Sequence, residues 1–274
     1  MSTHKTRKLK VMLESIPAGF LVDSPWLTKH GISRFLTQKY IKSGWLERVA
    51  RGVFRRPAPR STDTIDWRTC LLSMQHIMGY QVHVGGMSAL SLHGHGHYLR
   101  LGGDVPIWVY GLGIPSWLTK LRLSAQLTTR RPSLFSEATL GLSPEQQIYA
   151  SSSLPWDWPL TISTPERATL EAMDELPGHE SFHNLDVVFE SLTTLRPRML
   201  AALLKTCKKI KVARLFFVFA DRHDHAWRKR LAAGAFNLGS GDRALVKGGR
   251  IHPRYRIVVP EAFAKPEGEA DDVA

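Results

Sequence analysis

Arg34, Gln38 and Lys42 recur every fourth residue along one short segment, so on a helix all three project from a single face. Their chemistry suits nucleic acid. Arg donates two bonds to guanine O6 and N7, Gln pairs in the same way with adenine N6 and N7, and each good pair is worth about 1–3 kcal/mol of discrimination. Leu36 and Tyr40 occupy the opposite face and are expected to pack inward. Thr37 and Lys39 flank the polar stripe as candidate phosphate contacts, while Phe35 and Ile41 are apolar at its margins. Ser33, at the head of the segment, belongs to the same candidate set. Arg48, Arg51, Arg55 and Arg56 follow within a few residues. Such a cluster suits the phosphate backbone or the minor groove, where Arg is electrostatically favoured.

Other constellations are less specific. His93-Gly94-His95-Gly96-His97 offers three imidazoles at alternate positions, a set that could hold Zn²⁺ if extended. The intervening glycines leave that geometry undefined and no carboxylate completes a motif, so a surface loop or helix end is the favoured reading and no metal is assigned. His223-Asp224-His225 falls between two helical segments and reads as capping. Gly239-Ser240-Gly241-Asp242-Arg243 and Lys247-Gly248-Gly249-Arg250 resemble phosphate-cradling loops but lack the glycine spacing and Lys-Ser/Thr pair of a P-loop. They are read as turns. Arg243, Lys247, Arg250, Arg254 and Arg256 form a second basic patch, either a contact for DNA flanks, RNA or an acidic surface, or a solvated sheet face. Gly-x-Ser-x-Gly and His-Glu-x-x-His are absent. No catalytic residue and no cofactor is assigned. The rival reading is a nucleic-acid-acting enzyme, metal-dependent in one form, that uses the basic head for targeting.

The elements that must position these side chains can be read from the pattern around them. Residues 1–60 hold 13 Lys and Arg against Glu14, Asp23 and Glu47, a net charge of +10, whereas the other 214 residues carry only +3. That segregation favours a polyanion-binding module at the front. A helix is expected over Thr6–Ser15, ended by Pro17-Ala18-Gly19, and Phe20-Leu21-Val22 reads as a short strand. Asp23 or Ser24 caps a second helix with Pro25 in its first turn, and Gly31 supplies a sharp bend. Ser33 caps a third helix that ends at Gly44. Trp45–Arg48 and Val53–Arg55 form a hairpin about Ala50-Arg51-Gly52. Helix, strand, helix, tight turn, helix and basic hairpin is the order of a winged helix-turn-helix.

A Pro-punctuated stretch, Arg56–Thr62, marks the expected boundary between residues 1–58 and a larger mixed α/β domain over 59–262. The fold class is thus α+β. In the second domain a helix is expected over Ile65–Met78, short strands and turns over Val82–Pro159 with Ile107–Tyr110 the clearest, and a strand at Leu160–Ile162. Ser163-Thr164-Pro165-Glu166 reads as a capping box opening a helix to Asp174. Further helices are expected at Leu185–Leu195, Pro197–Cys207, Val212–Ala220 and His225–Ala232, then strands at Arg243–Lys247 and Arg254–Val259. Residues 263–274 read as an acidic, disordered tail. Cys70 and Cys207, far apart, read as buried, reduced thiols. No signal peptide and no transmembrane run is present, so no membrane partner and a cytoplasmic location are expected.

The segment Trp26-Leu27-Thr28-Lys29-His30-Gly31-Ile32-Ser33-Arg34, continuing through Tyr40-Ile41-Lys42-Ser43-Gly44-Trp45-Leu46 to Arg51-Gly52-Val53-Phe54, resembles the N-terminal domain of AbiEi-type antitoxins. Ser163–Ala168, Lys211–Phe216, Leu238–Gly241 and Pro253–Ile257 are similar to later blocks of that family; the His-rich run at 93–97 departs from it. The resemblance implies a DNA-binding autorepressor and antitoxin of a type IV abortive-infection toxin–antitoxin system. It also implies double-stranded DNA as partner, through inverted repeats in the promoter of its own operon, with cooperative binding there. The functionally paired protein would be a nucleotidyltransferase-like toxin, countered with or without direct contact.

Overall fold

A computed structural model describes residues 2–59, 62–96, 106–145 and 158–264. His97 and residues 265–274 of the expected tail lie outside the described residues. The chain forms two compact units: Met1–His83 with Gly102–Arg131 and Pro144–Thr161, and Val84–Leu101 with Pro132–Ser143 and Ile162–Ala274.

The first unit begins with helix α1 (Ser2–Ser15), strand β1 (Leu21–Asp23), and helices α2 (Ser24–Lys29) and α3 (Arg34–Lys42). Asp23 is the cap of α2, its carboxylate accepting from Trp26 N at 2.9 Å. Gly31, at φ 71°, supplies the left-handed residue that lets the chain turn into α3, and Ser33 Oγ caps that helix by accepting from Leu36 N. Strands β2 (Glu47–Ala50) and β3 (Val53–Arg55) follow, so the first strand of the hairpin starts two residues later than Trp45. The sheet order is β1-β3-β2, antiparallel throughout, with Leu21 opposite Arg55 and Asp23 opposite Val53. Met12, Ile16, Phe20, Leu27, Ile32, Leu36, Leu46 and Val53 are buried beneath these elements.

The expected single helix over Ile65–Met78 divides into α4 (Trp67–Leu72), capped by Asp66, and a π-helical stretch, Ser73–Ile77. Ser73 accounts for the change. Its hydroxyl donates to Thr69 O at 2.6 Å and accepts from Leu21 N at 3.0 Å, competing with the regular ladder while tying the helix to β1. Gln75 holds the far end, its amide bonding Val82 O and both backbone groups of Thr161. Strand β4 (Val82–Val84) comes next. Strand β5 (Ile107–Gly111) lies where expected and pairs in parallel with β6 (Leu127–Arg130).

The second unit contains α5 (Gly86–Leu92), part of β7 (Leu142–Glu145) and of β8 (Leu160–Ser163), α6 (Pro165–Asp174), α7 (Phe182–Glu190), α8 (Pro197–Thr206) and α9 (Ile210–His223). Helix α6 packs against α5, α8 and α9. Every residue from Val212 to Ala220 is buried, around an aromatic cluster of Phe189, Phe216, Phe219 and Trp227. Arg214 interrupts this run, and its guanidinium donates to the carbonyls of Leu238, Gly241 and Arg256. Arg167 is stapled likewise, to Glu171 at 2.7 Å and to the carbonyls of Ala138 and Leu140.

Several expectations need correction here. The capping box fails: Thr164 is the cap residue of α6, Ser163 Oγ instead donates to Glu171 at 2.7 Å, and Glu166 is taken by Arg196. The helix expected at Leu185–Leu195 starts earlier, at Phe182, because Ser181 caps it through Asn184 N. His225–Ala232 forms only a 3₁₀ turn, Arg228–Arg230, with Trp227 Nε1 donating to Leu192 O. Arg243–Lys247 is not a strand. Instead β9 (Arg250–Ile251) pairs antiparallel with β10 (Val258–Val259), and Arg243 makes a single parallel bridge to Ile257. Phe263 and Ala264, expected in the tail, are buried in helix α10 (Glu261–Ala264).

Glu166 carries a consequence for pH. Burial pushes its carboxyl upward, but bonds from Arg196 N, Nε and Nη2 at 2.8–2.9 Å outweigh it and hold the group below its ordinary 4.5. A carboxylate depressed by folding adds stability that is complete above the unfolded pKa and is lost as pH falls through the folded value. Urea unfolding of Arg196→Ala should therefore lie furthest below the parent near neutral pH, with the gap closing below about pH 4.5. A gap independent of pH would contradict this pairing.

Candidate nucleic-acid interface

Three residues of α3 are buried: Leu36, Thr37 and Tyr40. At about 100° per residue they define one side of the helix, and Arg34, Phe35, Gln38, Lys39 and Lys42 occupy the other. Leu36 and Tyr40 are inward, as expected. Thr37, a candidate phosphate contact, is only 5% exposed, and its hydroxyl donates to Ser33 O at 3.0 Å. Arg34, Lys39 and Lys42 are exposed and Gln38 is partly so. Ser33 is exposed, but its hydroxyl is engaged as the helix cap.

The hairpin is held beside this face. Ser24 N donates to Gly52 O at 2.9 Å, and Ser24 Oγ reaches the same carbonyl. The tip is thereby fixed to the start of α2, with Gly52 at φ 79° making the turn. Arg51 stands exposed at this tip, and the Arg48 guanidinium lies 5.9 Å from the centre of the Phe54 ring. Arg34 and Gln38 from α3 and Arg48 and Arg51 from the hairpin meet around one concavity of about 400 Å³, floored by Leu27, Ile32 and Phe54. Thr37 lines it as well, so the structure brings five of the ten head residues to one cavity wall. Lys39 and Lys42 lie on the exposed face of α3 without lining it.

Arg55 and Arg56 do not join them. Arg55 is 8% exposed, paired with Glu47 and donating to Thr62 O. Its position on the central strand turns it inward. Arg56 donates from Nη1 to Leu13 O at 2.6 Å and to Ile16 O at 2.7 Å, satisfying carbonyls at the end of α1. Lys8 does similar work across the motif, donating to Gly31 O in the turn between α2 and α3.

Three of the five members of the second basic patch are ion-paired. Arg250 pairs with Glu261, Arg254 with Asp221 and Arg256 with Asp242; Arg243 and Lys247 are exposed. His93 Nε2 bonds Ser163 O and His95 Nδ1 bonds Ser191 Oγ. Among the described residues no group of three or more His, Cys, Asp or Glu is placed to hold a metal ion. His223 meets Asp186 at 2.7 Å, and Asp224, at φ 40°, is the left-handed residue that ends α9. Cys70 and Cys207 are free thiols, Cys70 buried as expected and Cys207 only half-buried. Among the described residues no helix is long and apolar enough to cross a membrane. Phe35, apolar at the margin of the polar stripe in the sequence, is 76% exposed beside Arg34.

Fold and site together define an α+β protein whose basic head gathers Arg and Gln side chains around an open concavity. Two family models match it, that of the transcriptional regulator AbiEi antitoxin of type IV toxin–antitoxin systems over residues 104–260 and that of the AbiEi antitoxin N-terminal domain over residues 5–101. The chain belongs to the AbiEi antitoxin family of transcriptional regulators. Its fold is similar to that in the crystal structure of the RV2827C protein from Mycobacterium tuberculosis, with a TM-score of 0.55 and 16% identity over 94% of this chain and 92% of that one. No curated protein matches the chain.

Because Arg56 serves the end of α1, Arg56→Ala should lower stability by about 1–3 kcal/mol, the usual cost of leaving buried acceptors unpaired. Urea unfolding measures it, and an unchanged midpoint would show that Arg56 is not a structural staple.

Proposed function

We propose that residues 1–58 act as a winged helix-turn-helix that binds double-stranded DNA, and that the protein represses its own operon as the antitoxin of a type IV system. Helix α3 enters the major groove, which is wide enough for one helix, and the hairpin follows the backbone as the wing. The observation that carries this reading is the shared concavity: Arg34 and Gln38 on a helix, Arg48 and Arg51 on a hairpin, facing the same space. Arg34 and Gln38 are the base readers. Lys39, Lys42, Arg48 and Arg51 supply phosphate contacts. The family supports DNA and a toxin as partners; the finer assignment is to inverted repeats in the operon's promoter, bound cooperatively, and to a nucleotidyltransferase-like toxin whose effect the protein counters in the cytoplasm. The protein does this as a regulator without catalysis.

Fluorescence anisotropy with duplex DNA from upstream of its own gene tests the reading. Arg34→Ala and Gln38→Ala should each cost the preference for that DNA over a scrambled duplex, by about 1–3 kcal/mol. Arg51→Ala should weaken binding to both duplexes alike and make the salt dependence shallower by about one contact, a log–log slope change near 0.9. Parent protein that binds both duplexes equally, or shows a salt slope near zero, would contradict a sequence-reading head.

A further inference from the structure

Phe35 is the most exposed large hydrophobic side chain among the described residues, at 76%, ahead of Leu112 at 65% and Val11 at 45%. Its position is specific. It follows Arg34, the first residue of α3, so it stands in the first turn of the helix, the part that reaches base edges when such a helix lies in a groove. On the helical wheel it points about 150° away from the mean direction of Leu36, Thr37 and Tyr40. The same outer face carries Lys39 one turn on and Lys42 two turns on, with Arg34 and Gln38 along the edge towards the hairpin. An aromatic ring held in water among cations has no folding role that its exposure reveals, and leaving it there forgoes the burial energy it would gain in a core.

We propose that Phe35 reads the C5-methyl group of thymine in the major groove, adding an apolar specificity contact beside the polar ones from Arg34 and Gln38. This rests on the DNA-binding reading above. The methyl is the one apolar marker that the major groove displays, and aromatic or aliphatic side chains recognise it by contact alone. Lys39 and Lys42 on the same face would seat the helix on phosphates, which brings the ring to base depth without a polar bond of its own.

The test removes the methyl and nothing else. The full-length protein selects duplexes from a random-sequence library, and the enriched duplex is then synthesised with thymine or with deoxyuridine at each T in turn. Base pairing and phosphates are unchanged by that exchange. At one or more positions the parent should bind the thymine duplex about fourfold more tightly, the value of one buried methyl group. Phe35→Ala should bind thymine and uracil duplexes alike, and Phe35→Leu should retain part of the difference. Because the side chain is exposed, both variants should unfold at the parent's urea midpoint, which separates lost contact from lost fold. A parent indifferent to the methyl at every position, or Phe35→Ala with the parent's full ratio, overturns the assignment while leaving DNA binding standing. Failure to enrich any duplex overturns the DNA-binding reading and this inference with it.

Discussion

Strand β3 is only three residues long, yet it lies between β1 and β2 and is buried at all three positions. Without β1 the hairpin would be an isolated two-stranded ribbon, which is marginal in water. Asp23 makes the joint specific. It faces Val53 in the ladder, and one carboxylate oxygen caps α2 while the other accepts from Tyr80 Oη at 2.6 Å. Both oxygens of this buried carboxylate are satisfied, so the residue that stands opposite Val53 in the ladder also fixes where α2 begins. One glycine turn later comes α3. The approach of Arg34 and Gln38 to Arg48 and Arg51 therefore descends from a single short strand and its neighbour.

Arginine serves two purposes in this chain, and the difference lies in what surrounds the guanidinium. Five donors in a rigid fork suit it to collecting stray carbonyls. Arg56 does so for α1, Arg167 for residues 138 and 140, and Arg214 for a loop, a turn and the backbone of Arg256. Asp221 accepts from Arg228, Arg254 and Tyr255, gathering the ends of the second unit. These cations are spent on the fold. Arg34 and Arg51 are exposed on the wall of an open concavity, free to answer phosphate or base. The formal charge of the head thus overstates what it offers a ligand, and the geometry selects the part that counts.

Elements governed by local chemistry were legible. Pro25, Gly31, Ser33, Gly44 and Gly52 act within a few residues of themselves, and the helices and hairpin they bound lie close to where periodicity placed them. What stayed hidden depended on partners distant in the chain. Arg56 finds its acceptors 40 and 43 residues back, and Glu166 finds Arg196 30 residues ahead. No window of sequence connects those pairs, so Arg56 read as a DNA contact beside the hairpin and Glu166 as part of a capping box. The π-helical stretch begins at Ser73, whose hydroxyl accepts from Leu21 N, 52 residues back in the chain. In the last segment, alternating basic and apolar residues indicated extended chain but not which residues pair, and Arg250 rather than Arg243 joined the ladder. On α3 the residues of the polar stripe lie on the outer side, Arg34 and Lys42 exposed and Gln38 partly so, whereas Thr37 packs with Leu36 and Tyr40 among the buried positions.

The most direct measurement is amide hydrogen exchange of the full chain with and without duplex DNA from upstream of its gene. Exchange reports which backbone segments lose solvent access on binding. Slowed exchange concentrated at Arg34–Lys42 and at the hairpin tip around Arg51 is the predicted result. Protection absent from both segments, or confined to residues 243–256, would contradict the placement of the DNA-reading surface.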